Sequence, residues 1–297
     1  MTDTEARDAR NAGLETWSTP DVLATLLEGQ TRALQAVSEG LSGMAAAVDA
    51  AADRLREGNG RLVYTGAGTS GRLAVLDGVE LTPTFGWPRA RLVFALAGGL
   101  EAMTGAVEGA EDDAAAGADA MGQSAVWASD VVIGVAASGR TPFTCAAVEA
   151  ARASGALTVG LSCNAQTPLL AAAEHGILLP TGAEVLAGST RMGAGTAQKA
   201  ALNLISTALM TRLHKVHQGY MVDMLPTNAK LVARAINMVA RIAGVSQETA
   251  TSALQTAEHR IKPAVLVANG VALARAEEAL EAANGDLAAA LATLGLS

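Results

Sequence analysis

Aromatic residues are scarce in this 297-residue chain: Phe, Trp and Tyr together make 3% of it, whereas 50% is hydrophobic. A core of large stacked rings is therefore excluded. It has to be built from Ala, Val, Leu, Ile and Met, whose small side chains suit close helix–sheet and helix–helix packing. Cysteine is nearly absent. Cys145 and Cys163 show no CxxC spacing, which excludes a disulfide framework, and each reads as a small buried hydrophobe rather than a nucleophile. A reducing, cytoplasmic compartment is the expectation. No apolar run approaches the ~20 residues of a membrane span, and residues 1–11 are polar and mixed in charge, unlike a signal peptide. Basic charge is in deficit, with 21 Lys and Arg against 29 Asp and Glu and a formal net charge of −8. A general nucleic-acid or lipid-surface binder needs the opposite balance. A small anionic ligand stays open, because a few Arg and backbone N–H groups suffice to hold one.

What is present is an order of elements. Residues 1–17 are polar and read as loosely held unless a partner covers them. Ser18-Thr19-Pro20-Asp21 reads as a helix start, with a hydroxyl cap and proline in the first turn. Helical spacing then runs over 22–55, with a break at Glu39-Gly40 and an end at Gly58-Asn59-Gly60. Past that point the pattern changes. Strands are predicted at 61–65, 91–97, 131–136, 157–161 and 176–179, and helices at 73–79, 143–153 and 194–213. Strands apolar on both faces and separated by helices imply an α/β fold with a doubly wound parallel sheet. After about residue 240 no strand pattern returns, and short Ala-rich helices imply a small C-terminal helical subdomain. The division expected is a helical N-terminal region over 1–54, a sheet domain over 55–235 and the helical subdomain over 236–297.

Ligands of such sheets bind where the strands end. The first strand runs into Gly66-Ala67-Gly68-Thr69-Ser70-Gly71-Arg72, which matches GxGxxG between strand and helix. The dinucleotide fingerprint also needs an acid at the end of the next strand. Here that strand ends in Ala97-Gly98-Gly99, and the next carboxylate is Glu101, so no nicotinamide or flavin cofactor is expected. The Thr69-Ser70 pair suits sugar oxygens or phosphate instead. A later strand ends in Ala136-Ala137-Ser138-Gly139-Arg140-Thr141-Pro142, where Ser138 and Thr141 flank a turn opening a helix, a geometry that offers N–H groups to phosphate. A third polar loop, Gly188-Ser189-Thr190-Arg191, precedes the helix near Ala194. Any one of them reads equally as helix capping. Three at the same end of one sheet favour a phosphorylated, hydroxyl-rich ligand.

Acids supply the chemistry. Glu80 is placed near the end of the helix that follows the first loop, between apolar Val79 and Leu81, a setting that suits a general acid. Glu108-Gly109-Ala110-Glu111-Asp112-Asp113 is an acidic cluster that reads either as a solvated turn or as a source of a base. Glu184 is a further candidate. His214 and His217 lie three apart near a helix end, but two ligands make no metal site and histidine is favoured there in any case. No metal is expected. Gln198, Lys199 and Asn203 either line the site or satisfy buried groups.

GRLVYTGAGTSGRL (60–73), PTFG (83–86), EGAEDD (108–113), AASGRTP (136–142), GLSCN (160–164), GSTRMGAGTAQK (188–199), MVDMLPTNAKL (221–231) and NGDLAAAL (284–291) resemble, in order and spacing, motifs of the N-acetylmuramic acid 6-phosphate etherases, whose sheet domain is of the sugar-isomerase (SIS) type. The resemblance implies a metal-free homodimer that cleaves the D-lactyl ether of N-acetylmuramic acid 6-phosphate in peptidoglycan recycling. It places the two catalytic glutamates at Glu80 and Glu111, with Asp112 beside the second. Sugar-phosphate contacts fall at Thr69, Ser70, Ser138 and Thr141, with Ser189 and Thr190 nearby. Another SIS-type isomerase, or a non-catalytic sugar-phosphate sensor, would use the same loops.

Overall fold

Five strands form one parallel sheet in the computed structural model, which describes residues 3–56 and 58–296. They are β1 (Leu62–Gly66), β2 (Leu92–Leu96), β3 (Val131–Val135), β4 (Leu157–Ser162) and β5 (His175–Leu178), in the order β2-β1-β3-β4-β5. All lie within a residue or two of their predicted spans. Leu62 pairs with Leu92 on one side and Val131 on the other. Every residue of β1, β3 and β4 is buried, as strands apolar on both faces require.

Helices cover both faces. On one, Val63, Ala95 and Val132 pack against Met121 of a helix at Ala114–Gln123 and Ala147 and Ala151 of a helix at Pro142–Ala153. On the other, the Tyr64 hydroxyl reaches Asp77 of the helix Gly68–Phe85, and Gly40 closes on Ile177 and Leu179 of β5 and its extension. In chain order the helices are α1 (Thr19–Val37), α2 (Leu41–Arg56), α3 (Gly68–Phe85), α4 (Ala114–Gln123), α5 (Pro142–Ala153), α6 (Pro168–Ala172) and α7 (Gly193–Arg212). Ser18 caps α1 by accepting from the Asp21 N–H, and the break expected at Glu39-Gly40 is the 3₁₀ turn Ser38–Gly40.

Contacts divide the chain into two units: the chain up to Gly78 with Ala90–Thr207, and Val79–Arg89 with the chain from Ala208 on. The first contains the sheet. The second is helical, with α8 (Ala229–Ala243), α9 (Gln247–Thr256), α10 (Ile261–Ala268), α11 (Leu273–Ala282) and α12 (Leu287–Thr293). Its core joins Val222, Met238, Val239, Leu254, Val265 and Leu287 among others. It also holds a short antiparallel bridge, β6 (Val216–His217) with β7 (Tyr220–Met221), which the sequence pattern did not predict. Among the described residues no helix is long and apolar enough to cross a membrane.

The N-terminal segment differs from the expectation of a loosely held tail. Thr4 is fully buried. Its N–H donates to Asn164 Oδ1 at 3.3 Å, and its carbonyl accepts from the Gly188 N–H at 3.2 Å. Asn11 Nδ2 donates to the Val185 carbonyl. A polar segment is held by polar partners far along the chain, a bond pattern that local composition does not reveal. Residues 1 and 2 lie outside the described residues.

One buried acid fixes the lower edge of the sheet. Asp130 is fully buried and accepts from the Arg61 N–H at 2.8 Å, with Arg61 Nη2 at 2.6 Å from its other oxygen. It ties the start of β1 to the start of β3. Asp130→Ala removes the ion-pair partner of Arg61 and the acceptor of the Arg61 and Trp127 N–H groups, and is expected to cost about 3 kcal/mol. Urea unfolding reads this as a lower midpoint at unchanged slope.

Candidate active site

The order β2-β1-β3-β4-β5 reverses between β1 and β3, and open α/β sheets bind ligands at such a point, beyond the carboxyl ends of the strands. The loops that follow β1 and β3 are the first two polar loops picked out by sequence.

At the first loop the backbone packs against itself. A Cβ on Gly71 would stand 2.8 Å from the Gly66 carbonyl carbon and 2.2 Å from Leu96 Cδ1. Only glycine permits this approach of helix to strand. It fixes Thr69 and Ser70 in the first turn of α3. Ser70 is buried and its hydroxyl donates to Gln198 Oε1 at 2.9 Å. Gln198, on α7, is completely buried, and its Nε2 has no hydrogen-bond partner among the described residues. Thr69 is half-buried, and a Cβ on Gly195 would lie 3.6 Å from its Cγ2 and 3.4 Å from the Thr190 carbonyl. The first and third loops therefore meet.

At the second loop Ser138 Oγ accepts from the Arg140 N–H at 3.1 Å, which leaves the hydroxyl hydrogen free to donate. Thr141 stands at the N-cap of α5, yet its side chain makes no capping bond. Both residues are half-buried. The helix behind them has its first N–H groups unpaired within the helix. Ala67 of the first loop packs with Ala97 and Phe143, and Ala110 joins this cluster. The residue before Glu111 is thus anchored at the switch point.

Glu111 and Asp112 lie in a 3₁₀ turn, Ala110–Asp112, with their side chains exposed. Asp113 accepts from the Ala116 N–H at 2.8 Å and caps α4, so the acidic run is divided between a helix cap and three exposed acids, Glu108, Glu111 and Asp112. Glu80 belongs to the other unit and is exposed. Here the structure corrects the sequence reading: α3 continues to Phe85 with Pro83 inside it, so Glu80 stands more than a turn before the helix end and its carboxylate is open to solvent rather than enclosed by apolar neighbours. Glu184 is a structural acid. It is buried and accepts from the N–H groups of Gly193 and Ala194 at 2.9 and 2.8 Å, filling the N-terminus of α7. Ser189 and Thr190 sit in the turn just before it, half-buried.

Sequence reasoning missed Asp77. This buried carboxylate accepts from Asn203 Nδ2 at 2.6 Å, from the Ser206 hydroxyl at 3.1 Å and from the Tyr64 hydroxyl at 3.1 Å, while Lys199 bonds Asn203 Oδ1. A lone acid among apolar helix residues was the available signal. Both cysteines are buried, and burial pushes their thiols up to about 11 at Cys145 and about 12 at Cys163, which suits packing and not nucleophilic work. His214 Nδ1 lies 3.4 Å from Asp286, and His217 belongs to the short β6 strand.

Comparison with known proteins shows the family and the fold. Residues 43–152 match the family described as glucokinase regulatory protein N-terminal SIS domain, and residues 112–208 match the SIS domain family. The chain is 46% identical over 288 residues to the N-acetylmuramic acid 6-phosphate etherase of Salmonella agona, covering 97% of each. It is 48% identical over 275 residues to the protein of the same name from Deinococcus radiodurans, covering 92% of this chain and 90% of the other. Among solved structures, a putative phosphosugar isomerase involved in capsule formation from Bacteroides fragilis shares the fold with a TM-score of 0.52 at 17% identity, over 68% of this chain and 95% of that one.

Burial raises the Asp77 carboxyl above its ordinary 3.8, outweighing the lowering by its three hydrogen bonds and by Lys199. Over a window that opens at pH 3.8, the folded chain keeps a proton that the unfolded chain has released. Stability from this group therefore falls as pH rises through the window. Asp77→Asn removes the titration, so its urea midpoint is expected to vary less with pH there. Equal slopes in the two proteins would count against the assignment.

Proposed function

The chain belongs to the N-acetylmuramic acid 6-phosphate etherase family, and from that premise we propose that it is a carbon–oxygen lyase cleaving the D-lactyl ether of N-acetylmuramic acid 6-phosphate, with N-acetylglucosamine 6-phosphate and D-lactate as products. The observation that carries this reading is the near-full-length likeness to etherases at almost half identity. In the ring-opened sugar the C2 proton is α to the C1 aldehyde and the lactyl ether at C3 is β to it. A base removes the C2 proton, the C2–C3 double bond forms, and the C3–O bond breaks as an acid protonates the departing lactate oxygen. Water then adds at C3 and a proton returns to C2. Two carboxyl groups suffice for both halves.

We assign the acid to Glu80 and the base to Glu111, with Asp112 as the neighbouring carboxylate. Thr69, Ser70, Ser138, Thr141, Ser189 and Thr190 are the proposed sugar-phosphate contacts. The free hydrogen on Ser138 and the uncommitted Thr141 hydroxyl support a phosphate at the start of α5. Phosphate held there anchors the sugar at a point remote from the bond broken, so binding energy positions C2 against the base. The reading includes a cytoplasmic place in peptidoglycan amino-sugar recycling and a homodimer. Supporting the dimer, Leu27, Leu34 and Leu41 recur every seven residues along α1 and the start of α2 and are 67%, 52% and 50% exposed, an apolar stripe that a second copy would cover.

Purified protein is expected to release D-lactate from N-acetylmuramic acid 6-phosphate and not from the unphosphorylated sugar; binding without release would sink the etherase reading. Glu80→Ala is expected to stop lactate release while solvent still exchanges into C2, and equal loss of both would remove Glu80 as the acid. Ser138→Ala is expected to weaken phosphorylated ligands by about tenfold, read as KM. Leu27→Asp with Leu34→Asp is expected to yield monomer by light scattering; an unchanged mass would place any dimer contact elsewhere.

A further inference from the structure

The helical unit contains a cavity of about 370 Å³, within the ~300–1,000 Å³ range of small-molecule sites. Lys215, His259, Arg260 and Lys262 line it, and Asp223 is the one carboxylate among the lining residues. The Lys262 side chain is only 7% exposed, and its Nζ lies 2.7 Å from Asp223 Oδ2. The Nζ of Lys215 lies 2.9 Å from the same oxygen. Two ammonium groups thus converge on one carboxylate.

Other acids in reach are engaged. Asp286 accepts from the Ala288 N–H at 2.9 Å as the cap of α12 and faces His214. Glu277 pairs with Arg260. Each ammonium carries three donors, and among the described residues Asp223 is the hydrogen-bond partner of Lys262. Burial opposes the charged form of Lys262 and Lys215 adds to that opposition, against the help of Asp223. Two ammonium groups on one carboxylate carry a net positive charge, which a second anion would balance. This arrangement has a second cation and open volume beside it. Gly285 also lines the cavity, and a Cβ there would stand 3.7 Å from Lys262 Nζ, at ordinary contact distance.

We propose that this cavity binds a small oxyanion, the carboxylate or phosphate group of a metabolite, held between Lys215 and Lys262. The proposal does not depend on the etherase reading, since neither lysine is assigned to that reaction.

Titration calorimetry on the full chain tests it, with inorganic phosphate and D-lactate as separate probes. Ser138→Ala/Thr141→Ala serves as the background, so that the loop proposed to hold phosphate does not contribute. At least one probe is expected to bind. Lys262→Met and Lys215→Met are each expected to weaken it by about tenfold or more, whereas Lys262→Arg, which keeps the charge, retains it. Binding of phosphate alone identifies a phosphate ligand, and binding of D-lactate alone identifies a carboxylate. Should Lys262→Met fail to fold, Lys215→Met, at a side chain 26% exposed, carries the test. No binding of either probe, or binding that Lys215→Met leaves unchanged, overturns the proposal.

Discussion

At the end of β1 backbone packs directly on backbone, where Gly66 closes the strand and α3 turns back over it at Gly71. No side chain fits between them. This contact sets the angle at which α3 leaves the sheet and puts Thr69 and Ser70 at the edge of the crevice between β1 and β3. It also explains how a GxGxxG sequence serves something other than a dinucleotide. The glycines provide the tight turn and close packing, and they specify nothing about the ligand until polar residues are added around them. Here the additions are hydroxyls rather than an acid for a ribose.

A chain of net charge −8 that handles an anion needs positive potential in confined places. The structure offers two kinds. One is the unpaired N–H end of α5, behind Ser138 and Thr141. The N-terminus of α7 is the contrasting case, because Glu184 already occupies it through Gly193 and Ala194. Of two helices starting at the same end of the sheet, the one filled by its own carboxylate is closed to an outside anion and the other is open. The second kind is the pair of lysines in the helical unit, where positive charge is concentrated on two side chains instead of being spread over amides.

Much of this was legible in the sequence where the pattern was local and strong. The strands read correctly because a parallel sheet buried on both faces demands continuous apolar runs, and β1, β3 and β4 supply them. The doubly wound α/β fold and the loops at Thr69-Ser70 and Ser138–Thr141 followed, while the SIS type came from the resemblance of the ordered motifs. What escaped depended on long-range partners or on weak signals. Pro83 reads as a stop, yet α3 carries it within its last turn, and that moved Glu80 away from the helix end. The pairing of Thr4 with Asn164 links residues 160 apart, and no local pattern announces it. The β6–β7 bridge is two residues on each side, too short for alternation to show. That residues 79–89 group with the C-terminal helices is likewise invisible to a reading that cuts the chain into consecutive pieces.

The packing of α3 with α7 within the sheet unit shows why polar residues matter in so aliphatic a core. Ala74 on α3 and Ala194, Ala197 and Ala201 on α7 are fully buried. Side chains this small offer little shape by which packed helices can choose a register. Ser70 and Asp77 lie seven residues apart and so face the same side of α3. Ser70 bonds Gln198, and Asp77 bonds Asn203 and Ser206. The Ser70–Gln198 and Ser206–Asp77 bonds are buried, so a slip of either helix by one residue would leave their donors and acceptors unpaired, at a cost of about 1–3 kcal/mol for each group. These polar contacts select the register of α3 against α7. Because Ser70 is itself one of the proposed sugar-phosphate contacts, the interaction that registers the helices also places a binding hydroxyl.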